Sequence, residues 1–171
     1  VKKSSEYYDA ITYLSENKVI NGYPDGTFKP DNTVTRVEAL KFIYEGIKKE
    51  VKSGNLAFRD TDSSQWYSKY LYTAYSDKVV DGYRDGTFKP ANTVNKAEFL
   101  KILFNGMGVE VPTDVNVPPY EDVKPDEWFA PYVSYAKELG IIADGQKFNP
   151  SNGMTRGEVA FAIYTLMEQM K

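Results

Sequence analysis

A nine-residue motif occurs twice in this chain, and this repetition constrains the fold more than any other feature of the sequence. Residues 22–30 read Gly-Tyr-Pro-Asp-Gly-Thr-Phe-Lys-Pro, and residues 82–90 differ from them only in an Arg that replaces the first Pro. A third copy is marked by Phe148 and Pro150, although its loop is shorter and lacks the Gly-Tyr pair. Because a spaced repeat signals one structural unit used several times, the 171 residues are predicted to hold three copies of it.

Each loop lies between two predicted helices. It is followed by a helix-start motif of the form Thr-Arg-x-Glu, at residues 35–38 and 155–158, with Asn-Lys-Ala-Glu at residues 95–98. Apolar residues then recur at positions i, i+1, i+4, i+5 and i+8, which places them on one stripe of an α-helix. A second helical pattern precedes each loop, at residues 7–16, 66–77 and 128–139. Each copy is therefore predicted to be a helix–loop–helix unit.

The fold class follows from the size of this unit. A single helical hairpin cannot cover its own apolar face, so the copies must pack together. The sequence predicts an all-α fold in which three tandem helix–loop–helix repeats pack as a pseudo-threefold trimer around a central helical bundle. The repeats are assigned to residues 1–52, 58–110 and 120–171. The first is interpreted as clipped at its N-terminus, since only the later two begin with an aromatic-x-Asp sequence.

Composition removes several classes of function. The chain has no His and no Cys, which excludes thiolate nucleophiles, Ser/His/Asp triads, disulfides and zinc held by His or Cys. It carries 21 Lys and Arg against 24 Asp and Glu, a net charge of −3, so nucleic acid is not expected as a partner. The sequence contains no apolar run that is long enough to predict a membrane span. A glycosidase with paired carboxylates stays open on composition alone, but turns and helix caps account for the repeated acidic residues, and we expect neither an enzyme nor a cofactor.

The repeated loop has two interpretations. Asp81, Asp85 and Gly86 match three positions of an EF-hand calcium loop. However, Tyr83 and Asn92 stand where that loop requires ligands, the second of them a bidentate Glu. A tight turn is favoured, because Asp-Gly is typical of turns and Gly adopts a positive φ without strain. We therefore expect no metal site, and the loop phenylalanines are predicted to be buried in the core.

The helix-start motif leaves one residue type unexplained. Thr35 with Glu38 fits a capping box, in which each side chain accepts a hydrogen bond from the other residue's backbone N–H. The residue directly after the capping Thr or Asn is basic in every copy, although the positive end of the helix dipole repels a cation. These residues are Arg36, Lys96 and Arg156. One interpretation is an anion bound by the free N–H groups and the cation. The other is a salt bridge to a nearby Glu. The first is favoured, because Tyr23 and Tyr83 lie close by in the loops and suit a sugar ring.

The succession of an aromatic-x-Asp start, a Trp, a Gly-Tyr-x-Asp-Gly-Thr-Phe-x-Pro loop and a Thr-Arg-x-Glu helix start resembles the S-layer homology domain in three tandem copies. The resemblance covers nearly the whole chain. It implies an all-α pseudo-trimer with grooves between its lobes, which anchors bacterial surface proteins noncovalently to secondary cell-wall polysaccharide. In well-understood members of this family the glycan carries pyruvate ketals, and the basic residue of the Thr-Arg-Ala-Glu motif contacts the carboxylate. The location implied is extracellular, at the cell wall.

Applied to this sequence, the resemblance and the residue chemistry together predict a set of ligand-binding residues. They are Arg36, Lys96 and Arg156 as anion contacts, Tyr23 and Tyr83 as sugar platforms, and Gly22 and Gly82 as points where the polymer approaches the backbone. Partners would be an anionic glycan and neighbouring S-layer or surface proteins. The alternative function is a structural lattice or protein-docking module.

The three grooves are not expected to be equivalent. The Ala of the family motif is replaced by Val37 in the first copy and by Gly157 in the third. Lys96 cannot bind a carboxylate through two parallel hydrogen bonds, as an Arg can. Trp66 and Trp128 match the family's Trp before the first helix, and core packing is expected for both rather than stacking on sugar.

Overall fold

A computed structural model describes all 171 residues, and its only regular elements are α-helices. The helices are α1 (Tyr8–Glu16), α2 (Arg36–Gly46), α3 (Ser68–Ser76), α4 (Lys96–Met107), α5 (Ala130–Glu138) and α6 (Arg156–Gln169). The predicted all-α class and the helix–loop–helix order are confirmed. No helix combines the length and the apolar character needed to cross a lipid bilayer.

The second helix of each repeat begins at a side-chain cap. Thr35, Asn95 and Thr155 each accept a hydrogen bond from the N–H of the Glu three residues later. Only α6 has the complete capping box, in which Glu158 also accepts from the Thr155 N–H at 2.9 Å. In α2 and α4 the glutamate carboxylate binds another group instead, and this difference matters at the functional site.

A closed ring of backbone hydrogen bonds joins the three repeats. The Val34 N–H donates to Met154 O, the Met154 N–H donates to Val94 O, and the Val94 N–H donates to Val34 O, each at 3.0 Å. Every repeat thus donates to one neighbour and accepts from the other. This cyclic exchange is the pseudo-threefold arrangement that the sequence predicts.

The first helix of each repeat packs on the second helix of the repeat before it. Helix α3 contacts α2, α5 contacts α4, and α1 completes the circle against α6. One apolar cluster of 40 buried residues runs through all three repeats, so they share a single core. The loop phenylalanines Phe28, Phe88 and Phe148 are buried in it, as predicted.

Carboxylates hold the loops in shape. Asp85 Oδ1 accepts from the backbone N–H and the hydroxyl of Thr87, and Gly86 has a φ of 78°. These contacts are those of a tight turn. Asp60 of the aromatic-x-Asp start accepts from the N–H groups of Phe88 and Lys89, both at 2.8 Å, and so ties the loop to the beginning of its own repeat.

Candidate functional site

Three grooves lie where neighbouring repeats meet, each beside one of the predicted basic residues. The Arg36 groove is lined by Tyr83, Glu98, Lys101 and Trp128 and has a volume of about 270 Å³. The Arg156 groove is lined by Asn21, Glu38, Lys41 and Trp66 and has a volume of about 180 Å³. The Lys96 groove is lined by Glu6, Tyr7, Asp144, Lys147, Glu158 and Phe161 and also has a volume of about 180 Å³.

The first backbone N–H groups of the helices beside the grooves already have hydrogen-bond acceptors. The N–H of Arg36 donates to Asn92 O at 2.9 Å, and the N–H of Val37 donates to Pro90 O at 3.4 Å, both in the next repeat. The first two N–H groups of α4 and of α6 likewise donate to backbone carbonyls of a neighbouring repeat. The expectation that free backbone N–H groups receive an anion is therefore wrong. Carbonyl oxygens satisfy these groups and offset the helix dipole, so an anion in a groove has to be held by side chains.

Two of the three cations are paired with an acid of the neighbouring repeat. Arg36 is only 6% exposed, its Nε donates to Phe88 O at 3.0 Å, and its Nη1 donates to Glu98 Oε2 at 2.9 Å. The Lys96 ammonium lies 2.9 Å from Glu158 Oε1. The salt-bridge interpretation therefore describes Arg36 and Lys96.

The Arg156 guanidinium is different, because it is buried without a carboxylate partner. Its side chain donates from Nε to Phe28 O at 2.9 Å and from Nη2 to Asn21 O at 2.8 Å, and the residue is 6% exposed. No acidic side chain lies within 4.0 Å of it. Glu38, the counterpart of Glu98, accepts from the Thr35 hydroxyl at 3.0 Å instead. Burial of an unpaired charge costs on the order of several kcal/mol, which carbonyl dipoles offset only in part.

Aromatic rings surround both guanidinium groups. The guanidinium carbon of Arg36 lies 4.5 Å from the ring centre of Phe88 and 5.2 Å from that of Tyr83. Arg156 has the same relation to Phe28 and Tyr23, at 4.5 and 5.0 Å. A lysine ammonium also lies 4.2 Å from the ring centre of each tyrosine. Cation–π contacts thus hold the guanidinium groups in place, and they engage the same tyrosine rings that the sequence predicts as sugar platforms.

The two tryptophans do not pack in the core, so that expectation is wrong. Trp66 is 49% exposed and Trp128 is 54% exposed. Both residues line the grooves, because the first helix of each repeat docks on the second helix of the previous repeat. The ammonium groups of Lys41 and Lys101 lie 5.7 Å from the two ring centres. Sequence reasoning missed these lysines, although both stand five residues after the basic residue of the helix-start motif.

Contacts within the protein itself explain why Gly22 and Gly82 are glycines. A Cβ at Gly22 would lie 2.8 Å from Thr27 O, and a Cβ at Gly82 would collide with the Phe58 ring and Thr87 O. Both loops therefore need Gly to close, whether or not a ligand is bound. The approach of a polymer to these positions stays a prediction.

The Lys96 groove lacks the features that the other two share. Glu6 stands where they have a Trp, Phe161 stands where they have a Lys, and its loop has no Tyr counterpart. Its walls carry the carboxylates of Glu6, Asp144 and Glu158 against two lysines, so negative charge predominates. The three grooves are not equivalent, as the sequence predicts.

The model of the S-layer homology domain matches this chain three times, at residues 1–40, 57–100 and 119–160. The chain belongs to the S-layer homology domain family. Each match begins before the first helix of a repeat and ends within its second helix, and the three matches confirm the resemblance drawn from the motifs. An S-layer homology segment is a cell-surface anchoring module without catalytic activity.

Curated relatives are much longer proteins. A cellulosome-anchoring protein of Acetivibrio thermocellus is 32% identical over 99 residues, covering 55% of this chain and 22% of that protein. Cell surface glycoprotein 1 of the same species is 27% identical over 165 residues, covering 88% of this chain and 7% of its own length. An S-layer protein of Bacillus licheniformis is 26% identical over 155 residues, covering 89% of this chain and 18% of its own length. The chain thus spans less than a quarter of each of these relatives.

Proposed function

We propose that this chain anchors a surface protein to the bacterial cell wall by binding an anionic polysaccharide in the Arg156 and Arg36 grooves. The observation that carries the proposal is the guanidinium of Arg156, which is buried without a carboxylate beside an exposed Trp. The names of the relatives, a cellulosome-anchoring protein and an S-layer protein among them, support a location at the cell surface.

The chemistry of the Arg156 groove suits an acidic sugar. The Arg156 Nη1 atom donates to no acceptor of the protein and is free to donate to a carboxylate. Trp66 offers an apolar face on which the C–H groups of a pyranose ring can pack. Lys41 adds a second cation above that ring. A pyruvate ketal carries its carboxylate on a carbon that bridges two oxygens of the sugar, so one pyruvylated residue can pack its ring on Trp66 and present its acid to Arg156.

The Arg36 groove repeats this arrangement with Trp128 and Lys101. Tyr23 and Tyr83 contribute by holding the two guanidinium groups and by forming the groove edge at their exposed parts. Lys96 is the weakest of the three proposed anion contacts, because Glu158 pairs with it and no Trp lies beside it.

Cosedimentation with purified cell-wall sacculi tests the proposal. Sacculi that retain the secondary polymer should retain the protein, and sacculi stripped of that polymer should not. The double variant Arg36→Lys with Arg156→Lys should lose most of the binding, although its net charge is unchanged. The control Arg59→Lys alters an arginine whose side chain is 69% exposed and lies outside the three grooves, and it should bind like the wild type. Equal retention on stripped sacculi would contradict the proposal. Survival of glycan binding in the double variant together with loss of self-association would favour the docking module instead.

A further inference from the structure

We propose that Glu98 acts as an internal competitor for the ligand carboxylate, so that the Arg156 groove fills before the Arg36 groove. This inference rests on the proposed function. It concerns which of the two grooves binds first and which residue sets the order.

The competitor is visible in the Arg36 groove. Glu98 Oε2 lies 2.9 Å from Arg36 Nη1, which is the contact that a glycan carboxylate would make. The Glu98 side chain is 28% exposed against 7% for Arg36, so the acid lies at the groove side of the pair. Glu98 is available for this contact because Asn95 Oδ1 caps α4 without engaging the Glu98 carboxylate. A ligand carboxylate that binds Arg36 Nη1, the counterpart of the free Arg156 Nη1, must displace Glu98.

The equivalent acid of the Arg156 groove has a different hydrogen-bond partner. Glu38 lines the groove but accepts from the hydroxyl of Thr35, the residue that caps α2. The Nε and Nη2 atoms of Arg156 donate to the carbonyl oxygens of Phe28 and Asn21, neither of which carries a full negative charge, and Nη1 has no acceptor in the protein. An incoming carboxylate therefore meets a cation whose charge is not neutralised and displaces nothing.

The expected difference follows from the bond that has to be broken. A hydrogen bond to a charged group is worth enough to change a dissociation constant by a factor of about 10 to 100. Re-solvation of the displaced Glu98 at the groove surface offsets part of this. We expect the Arg156 groove to bind at least about tenfold more tightly than the Arg36 groove.

The two tryptophans allow each groove to be measured separately. They are the only Trp residues in the chain, with Trp66 in the Arg156 groove and Trp128 in the Arg36 groove. Their ¹⁵N indole signals in the intact chain can be assigned with Trp66→Phe and Trp128→Phe. The probe is a methyl hexoside that carries a cyclic pyruvate ketal. The same hexoside with its ketal carboxylate as a methyl ester is the uncharged control.

In the wild type the Trp66 signal should reach its midpoint at about tenfold lower concentration of the acid probe than the Trp128 signal. Glu98→Gln should move the Trp128 midpoint towards that of Trp66. The matched control Glu38→Gln removes the same charge from the equivalent helix position and should leave the Trp66 midpoint within about threefold of its wild-type value, because Glu38 is not bonded to Arg156.

The outcomes separate the two proposals. If neither indole responds to the acid probe, or if the ester binds equally well, the proposed function itself fails. If both indoles respond to the acid alone but share one midpoint, or Trp128 responds first, the role of Glu98 is refuted while the function stands. A Trp128 midpoint that Glu98→Gln leaves unchanged would also refute it.

Discussion

Replacement of Arg156 by Lys keeps the charge in its groove and removes the shape of the guanidinium. In the structure this side chain has two separate tasks. Its Nε and Nη2 atoms donate to two backbone carbonyls, and its Nη1 atom has no acceptor in the protein. The first task stabilises the fold, and the second is the one that we assign to the ligand. Arg156→Lys therefore tests both with a single substitution.

The effect on stability can be worked out from the two carbonyl bonds. A lysine ammonium can reach one of the two acceptors, which leaves the other without a donor, either Phe28 O, which is buried, or Asn21 O, which is partly exposed. An unsatisfied buried carbonyl costs about 1–2 kcal/mol. For a chain of this size each kcal/mol lowers the Tm by about 2–4 °C, so a decrease of about 2–8 °C is expected. Arg36→Lys should cost a similar amount, because an ammonium that pairs with Glu98 leaves the buried Phe88 O without its donor.

The assay combines thermal unfolding with binding of the pyruvate ketal probe. Binding in the Arg156 groove should weaken about tenfold or more, because the single nitrogen of Lys, once held by a backbone carbonyl, cannot replace the separate Nη1 donor of the guanidinium. The Trp128 signal should be unaffected. A variant that loses the expected stability but binds the probe as the wild type does would refute our reasoning, since Arg156 would then serve the fold alone.

Three further predictions concern the fold. In urea titrations Tyr44→Phe should leave the free energy of unfolding unchanged or raise it by up to about 1 kcal/mol. The buried Tyr44 hydroxyl has no hydrogen-bond partner, and the equivalent position of the second repeat is Phe104. A loss above about 1 kcal/mol would contradict this. Burial, and then the hydrogen bond to Glu45, raises the pKa of Tyr70 to about 12 from 10.0. A tyrosine that stays neutral in the folded state contributes stability that is complete below pH 10.0 and is lost as the pH rises through about 12. When unfolding is monitored by circular dichroism, the wild type should lose stability between these pH values, and Tyr70→Phe should lose less. An equal loss in the two proteins would contradict the assignment. Asp60→Ala leaves two loop N–H groups without their acceptor and should cost about 1–3 kcal/mol in the same urea titrations, whereas a neutral effect would show that Asp60 does not hold the loop.

Much of the fold was open to prediction from the sequence, because its signals act over a few residues. A helical stripe recurs within a turn, and Thr35 caps a backbone N–H only three residues away. The repeat then supplies the long-range rule, since identical units bury their faces in identical ways. Helix order and pseudo-threefold packing followed from these two facts. The non-equivalence of the Lys96 groove was also predictable, because Lys96 and the missing Gly-Tyr pair are differences of composition.

The errors concern contacts made between repeats. Trp66 and Trp128 looked like core residues because a large aromatic ring near a helix start is usually buried, yet the docking of neighbouring repeats leaves them at the groove walls. The helix N-termini looked free because their acceptors, such as Asn92 O for α2, lie in another repeat. Neither fact has a local signal.

By itself the sequence determined the number of units, the helices within them, their caps and the positions at which basic residues recur. Only the tertiary structure decided what those basic residues meet. Arg36 pairs with an acid 62 residues away, while Arg156 reaches a carbonyl 128 residues away and finds no acid. Helix periodicity and capping depend on neighbours within one turn, whereas the partner of a side chain at a joint between repeats depends on how whole helices dock.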